Sequence, residues 1–552
     1  MEPPDAASSE ATRLLCAGTY LDDDFRDAVV DELYVHEERI AAPSLGIDAA
    51  RVLAHALRAR RLEVVWAVAL VALWVLAFFL VGGFFLSFLV PCVLLVLAAR
   101  LRGGSSGPFR ADFPGAARGL PWYRRVGAAW LRYTGRFGML SYAASALVFA
   151  VGDDEIRYEL YSATSYAPET PAAAWFALII PLAMAACIAA HRGQVAGAIS
   201  GDLHPQAFAD PGRPDIAEVT GGGRYARVQR LIRREQRSPL VYYHTQHPFI
   251  GAGSSYDPWT LAVELRKNPE KKQVELDNRE ILARIKPLVE ALRTPANPGT
   301  PRAAAVRDRL RGLEVDECVF VRVTGVPVRA HAPLEDKHFE AERERSIEEG
   351  GEGRRHFLRI RVGAWEEELV VTVFVRVHTQ GGMLMLEIAP HVLRPVRPAF
   401  HAVDRVSDTY RRGNRLGKVF WALGQLPTGA IRSVAHVFRQ IPFLLRMWTG
   451  GQAAGLPDGP WASVRELGSD QGASLFQEMD ASRYLKSIQD RVANGVREAL
   501  DAAGWQTGEF VQQVVNVSGV YIGSAENSAI AVGDRIDLEN KHVTTGGSHG
   551  AG

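Results

Sequence analysis

Apolar residues are gathered along this chain rather than spread over it. LVALWVLAFFLVGGFFLSFLVPCVLLVL (70–97) is broken only by Gly82-Gly83 and Pro91, and no charged residue lies between Glu63 and Arg100. As one helix that stretch would reach roughly 54 Å, well past a hydrocarbon core of about 30 Å. Two spans, 62–81 and 84–99, fit if Gly82-Gly83 turns tightly, which glycine's access to positive φ allows. FGMLSYAASALVFAV (137–151) and PAAAWFALIIPLAMAACIAA (171–190) supply a third and a fourth, the latter kinked at Pro181. A helical hairpin inside a soluble core would bury this many consecutive apolar residues without one polar outlet, so the lipid reading is preferred. The pattern predicts a membrane protein with four α-helical transmembrane spans, as two helical hairpins, over 62–191.

Flanking charge orients these spans. The connection 100–136 carries eight arginines and one acid, Asp112, whereas 152–170 carries five acids and one arginine. Arg58, Arg60 and Arg61 precede the first span, and Arg192 follows the last. Basic loops stay on the cytosolic side, so both termini and 100–136 are expected there, with Gly82-Gly83 and the acidic loop outside. Trp122, Tyr123 and Trp130 suit either a basic amphipathic strip at the inner interface or an ordinary loop. Because lysine is scarce beside arginine, and alanine and glycine abound, the expected location is a bacterial inner membrane.

Ahead of the spans lies a helical arm, 1–61. Residues 1–19 read as flexible. Residues 21–40 place Phe25, Val29 and Leu33 at helical spacing, and Asp48 is a plausible N-cap for a helix running into the first span. After the spans, 192–237 reads as a basic juxtamembrane linker whose arginines meet anionic headgroups, at about 1 kcal/mol each near the surface.

Residues 238–450 read as a cytosolic α+β domain with an antiparallel sheet. LVYY and TLAVEL alternate as strands, 276–294 as a helix bent at Pro287, and 315–328 as a further strand. HFLRIRVGAWEEELVVTVFVRVHTQGGMLMLEIAPHVL is a three-strand meander with Gln380-Gly381-Gly382 as one turn. The charge-dense 334–355 reads as a solvated or disordered insertion. Segment 428–448 holds Arg432, Arg439 and Arg446 in an apolar run, and suits a helix on the inner leaflet or one packed on the sheet. Of the last part, 451–540, residues 481–505 form an amphipathic helix with Leu485, Ile488, Val492, Val496 and Leu500 in one stripe, which could pack inward or serve as a dimer seam. Residues 514–540 read as β-rich, and 541–552 as a disordered tail.

Composition adds little chemistry. Lys+Arg 63 against Asp+Glu 62 leaves a net charge of +1, so nothing pulls toward nucleic acid. Four cysteines, Cys16, Cys92, Cys187 and Cys318, stand far apart and suggest neither disulfides nor a zinc cluster. Past Glu63 at the first boundary, the four spans hold no Asp, Glu, Lys, Arg or His, which argues against an ion-coupled transporter. No nucleotide-binding, nucleophile-elbow, kinase or calcium-loop motif occurs, so no catalytic residue and no cofactor are assigned.

The loop between LVYY and TLAVEL holds the one candidate site. His244 and His247 have H-x-x-H spacing, and Asp257 lies beyond Gly251-Ala252-Gly253. A metal pair lacks further ligands here, and a dinucleotide fingerprint lacks its third glycine and its helix. A binding cleft beside His244, His247 and Asp257 competes with a glycine-rich connection whose aromatics fill the core. The expected function is a membrane-anchored binding or scaffold module. The alternatives are an oligomeric pore gated by the cytosolic part, and a membrane-tethered enzyme. Expected partners are the lipid bilayer, a cytosolic protein, and a second copy through small-residue faces (Ser141 and Ser145, Ala185 and Ala189) or the 481–505 helix.

Overall fold

A computed structural model describes residues 6–518 except 45, 103–120, 154–167, 169, 211, 275–276, 294–309, 311, 349–352, 365–367, 450–454 and 471. The arm is ordered from near its start. Ser9 accepts the Thr12 N–H to begin α1 (Glu10–Leu21), and Asp22 accepts from Asp24 and Phe25 to begin α2 (Asp23–Val30). Residues 1–19 were expected to be flexible; instead Leu14, Leu15, Cys16 and Ala17 are fully buried. Small residues let α1 lie tightly in place: a Cβ on Gly18 would sit 2.5 Å from the Phe400 ring. That close approach depends on a residue nearly 400 positions away, so no local pattern announces it.

As the sequence suggests, Asp48 accepts the Ala50 and Arg51 N–H groups and opens α3 (Ala49–Val81). Over its 33 residues α3 is about 50 Å long. Its first turns (Val52, Leu53, Ala56) are buried with the arm, while Val65, Val68, Val75 and Phe79 further along are exposed. Gly82, at φ +67° and ψ −146°, ends the helix, and after a short 3₁₀ turn α4 (Leu86–Leu101) returns. The Trp74 ring lies 5.1 Å from Phe85 and 5.9 Å from Phe88, where a straight helix would separate Trp74 from Phe88 by about 21 Å. The chain therefore doubles back.

Among the described residues, three helical stretches, against the four spans expected, are long and apolar enough to cross a membrane: Ala49–Leu101, Trp122–Val151 and Pro171–Gly201. The second, α5, is one helix that takes in both the short apolar run 137–151 and the aromatic, basic strip before it. The third is α6 (Pro171–Gly201), begun by Thr170 accepting the Ala173 N–H. Glycines set the spacing of α4 and α5: a Cβ on Gly135 would lie 2.7 Å from Leu95. Tyr142 of α5 donates to the Ala177 carbonyl of α6 at 3.0 Å and stacks on Phe84 at 5.0 Å. The connections 103–120 and 154–167, whose charge oriented the spans, lie outside the described residues.

Most of the described residues in 192–237 are helical. α6 continues to Gly201, and α7 (Gly222–Arg237) packs on α3, with the Tyr225 hydroxyl donating to the Ala50 carbonyl at 2.9 Å. Three of the arginines expected at lipid headgroups meet acids. Arg233 pairs with Asp48 and Glu218, and Arg224 and Arg227 pair with Glu37. Most of these partners come from the acidic arm, so the basic segment is neutralised by one that precedes the apolar helices.

Seven strands form one sheet: β1 (Leu240–Tyr243), β2 (Ser254–Ser255), β3 (Trp259–Glu264), β4 (Leu313–Arg322), β5 (Arg354–Ala364), β6 (Leu369–Gln380) and β7 (Met383–Leu393). Their order is β1-β4-β5-β6-β7, with β2 and β3 both paired to β7. The predicted meander is β5-β6-β7. The sheet is mixed rather than antiparallel, because β1 runs parallel to β4, Leu240 opposite Val319. A parallel pair needs a long crossover, and here that crossover holds β2, β3 and α8 (Asn278–Glu290).

One sheet face (Ile360, Val373 and Leu386) is covered by α8 and α12 (Leu475–Ala502). The α12 stripe considered as a dimer seam is spent here: Leu485, Ile488, Val492, Val496 and Leu500 are all buried in this core. The segment 334–355, expected to be solvated, contains α9 (Asp336–Glu348), which docks on β4 through a bond from Arg343 to Glu317. After α10 (Val403–Arg412), α11 (Arg415–Thr449) lies against α3, α4 and α6 and not on the sheet. The Trp74 indole N–H donates to the Ala430 carbonyl at 3.2 Å. α13 (Gly508–Ser518) closes against β3, so 514–518 is helical where strand was expected; 519–540 lies outside the described residues.

Candidate functional site

Beyond β1 the chain turns back to reach β7, and three local choices fix its path. Phe249 fills an aromatic cluster, with ring centroids 4.9 Å from Phe374 and 4.7 Å from His391. Gly251 and Gly253 adopt φ of +103° and +94°, where side chains are strained. Nor is there room for one: a Cβ would come 2.4 Å from the Pro43 carbonyl at Gly251 and 2.4 Å from the Val392 carbonyl at Gly253. Both N–H groups donate to one carboxylate oxygen, Glu466 Oε1, at 2.8 and 2.9 Å. Burial raises the Glu466 carboxyl above its ordinary range, and those two donors oppose the shift. Gly251-Ala252-Gly253 is therefore no dinucleotide fingerprint: its donors are taken by the chain's own carboxylate, and strands follow it.

Beside this loop opens a cleft of about 860 Å³, a volume suited to a small-molecule ligand. His247 lines one wall, His391, Arg394 and Arg397 at the end of β7 a second, and Trp461 and Glu466 a third. The arm buttresses the last two walls. Arg397 bonds Asp22 at 2.8 Å and the Leu467 carbonyl at 2.7 Å. The Trp461 backbone N–H donates to Glu32 at 2.8 Å, Glu32 pairs with Arg39 at 2.6 Å, and the Arg39 guanidinium lies 5.0 Å from the Trp461 ring. Burial lowers the His391 pKa, and its Nδ1 lies 3.2 Å from the Ala389 carbonyl.

Of the three residues singled out from sequence, His247 lines the cleft. His244 stands behind it, its ring 6.1 Å from His247 and nearly parallel, and 4.8 Å from Trp461. Asp257, at φ +43°, is exposed and lies outside the lining. Parallel stacking is not the convergence a metal needs, and among the described residues neither histidine belongs to a group of three metal-type donors. Arg394, Arg397, Trp461 and Glu466 were not found from sequence; they stand more than a hundred residues from the loop they face.

One three-donor group does occur among the described residues: Asp23, Glu63 and His436, from α2, α3 and α11, with donor atoms within 4.8 Å of one another. His436 Nε2 lies 2.8 Å from Glu63 Oε1, and the buried Asp23 Oδ2 has no hydrogen bond. The donor types suit a divalent ion. Yet the Arg26 guanidinium already sits 3.2 Å from Asp23 and 2.6 Å from Glu63, with Arg432 adding a second positive field. A divalent ion would meet strong like-charge repulsion at this range. The group is a buried ion network that fastens the arm to the apolar helices.

The matched family spans most of the sheet but not the whole cleft. A family model described as AbeC-like domain matches residues 258–528, which include β3 to β7 and α8 to α13 but not β1, β2 or the His247 loop. No curated protein and no solved structure matches the chain. Over those residues, just under half its length, the chain is similar to the AbeC-like domain family.

Proposed function

We propose that this is a bacterial inner-membrane protein in which α3, α4, α5 and α6 cross the bilayer as four spans and anchor a cytosolic binding module. The cleft beside Trp461 is its ligand site. The observation that carries the reading is the cleft's construction: its walls come from the AbeC-like segment, the preceding loop and residues held by the arm, and that arm packs on the helix that becomes the first apolar stretch. The break at Gly82 supports two crossings within Ala49–Leu101, and the arginine-rich 100–136 against the acidic 152–170 supports cytosolic termini.

Topology is tested with an impermeant maleimide on intact cells. Asp153→Cys is expected to label from outside and His204→Cys only after lysis; the reverse pattern retires the orientation. Binding is tested by thermal shift of the detergent-solubilised chain against nucleoside phosphates, amino acids and dicarboxylic acids. At least one is expected to raise Tm in the parent and not in Trp461→Ala or His247→Ala. No shift across the whole panel would retire the cleft as a ligand site.

A further inference from the structure

The AbeC-like stretch includes α11, a 35-residue helix with Pro427 and Pro442 inside it. Its middle is enclosed, with Ala422, Leu426 and Ala430 no more than 2% exposed against the apolar helices. Its last turns differ. Phe438, Ile441, Leu445 and Trp448 are 65%, 45%, 53% and 85% exposed, and steps of three and four put them on one helix face. Leu444 adds to the same side at 60%.

Of the polar groups of these turns, His436 and Gln440 are buried, and the half-exposed Arg439 and Arg446 reach toward acids of the arm on the side away from this row. His436 meets Glu63, Gln440 accepts from Arg60 at 2.8 and 3.0 Å, Arg439 reaches Asp27 at 3.2 Å, and Arg446 faces Asp31 at 3.8 Å. A helix on a water-exposed surface arranges itself the other way, with charge outward and apolar residues inward. We infer that this row lies in the acyl chains of the cytosol-facing leaflet, so that the AbeC-like segment carries a membrane element of its own. The inference rests on the membrane reading above.

Three observations choose lipid over a second copy of the chain. The row continues a helix whose middle packs against the apolar helices themselves, α3, α4 and α6. No uncompensated charge interrupts it, because the arginines are turned toward α2 and the turn after it. Trp448 sits at the far end, where an indole favours the headgroup boundary.

The test places nitroxide labels on the full chain, its four native cysteines replaced, in lipid nanodiscs of phosphatidylethanolamine and phosphatidylglycerol. Phe438→Cys and Leu445→Cys carry the probes, with Val75→Cys on α3 as the lipid reference and the exposed Arg412→Cys as the water reference. Phe438→Cys and Leu445→Cys are expected to match Val75→Cys, severalfold more accessible to oxygen than to a nickel chelate. Values matching Arg412→Cys overturn the inference, and so does shielding from both reagents, the signature of a protein partner. Should Val75→Cys itself behave as a water-exposed site, the membrane reading fails with it.

Discussion

Asp23 shows what a single buried carboxyl does to the chain. Burial and the neighbouring Glu63 charge raise its pKa, with burial the larger cause. A folded-state pKa above the unfolded value means that the folded chain holds this proton more tightly. The resulting stabilisation is complete below the unfolded pKa of about 3.9 and is lost as pH rises through the folded value. At neutral pH the ionised group therefore costs stability. Asp23→Asn is expected to raise Tm of the solubilised chain at about pH 7.5 and to do so less at about pH 5. An increment that does not shrink toward acid would contradict this. Glu466 makes a complementary case. Glu466→Ala leaves two loop N–H groups without their acceptor, at a cost of roughly 1–3 kcal/mol, whereas Glu466→Gln keeps the amide oxygen and costs less. Denaturant midpoints rank the two. Neither role is visible in sequence, since Glu63, Gly251 and Gly253 are brought to these carboxyls only by the fold. His247 was legible because a glycine-rich loop between two strand patterns is where a cleft opens.

At the scale of elements, α8 and α12 are held at a distance that only glycine permits. A Cβ on Gly495 would lie 2.8 Å from the Ile285 Cα, and a backbone atom cannot step aside as a flexible side chain can. Gly495→Ala is expected to destabilise by about 1–3 kcal/mol, despite a helix-propensity gain of about 1 kcal/mol. Gly197→Ala in α6, with nothing within 4 Å, should show the gain alone; urea midpoints compare them. Where pattern was strong, elements were readable: the β5-β6-β7 meander, the two short strands around the glycine loop, and the α12 stripe. Reading failed where an element owes its position to distant partners. Residues 1–19 read as flexible, yet Phe400, far along the chain, closes over α1. The charge-dense 334–355 gave no sign of α9, which Arg343 holds to Glu317 on β4. The parallel pairing of β1 with β4 has no local signal at all.

Over the whole chain, the sequence distinguishes the apolar stretches clearly and says little about how the remaining parts gather at their ends. The arm, the base of α6, α7 and α10 form one core around the start of α3, so segments far apart in sequence meet below the apolar helices. Local composition could not show this, because each piece alone is short, charged or rich in glycine. α3 has neither proline nor glycine between Ala49 and Val81, so no joint interrupts it. It behaves as a rod. The cleft grips the lower end of that rod through Asp22 and Glu32, which sit in the arm wrapped around it. A tilt of about 5° at the base would carry the far tip sideways by about 4 Å over a length of about 50 Å. An occupant that displaces Trp461 or Arg397 is expected to pull on Asp22 and Glu32, and through the arm on the base of that rod.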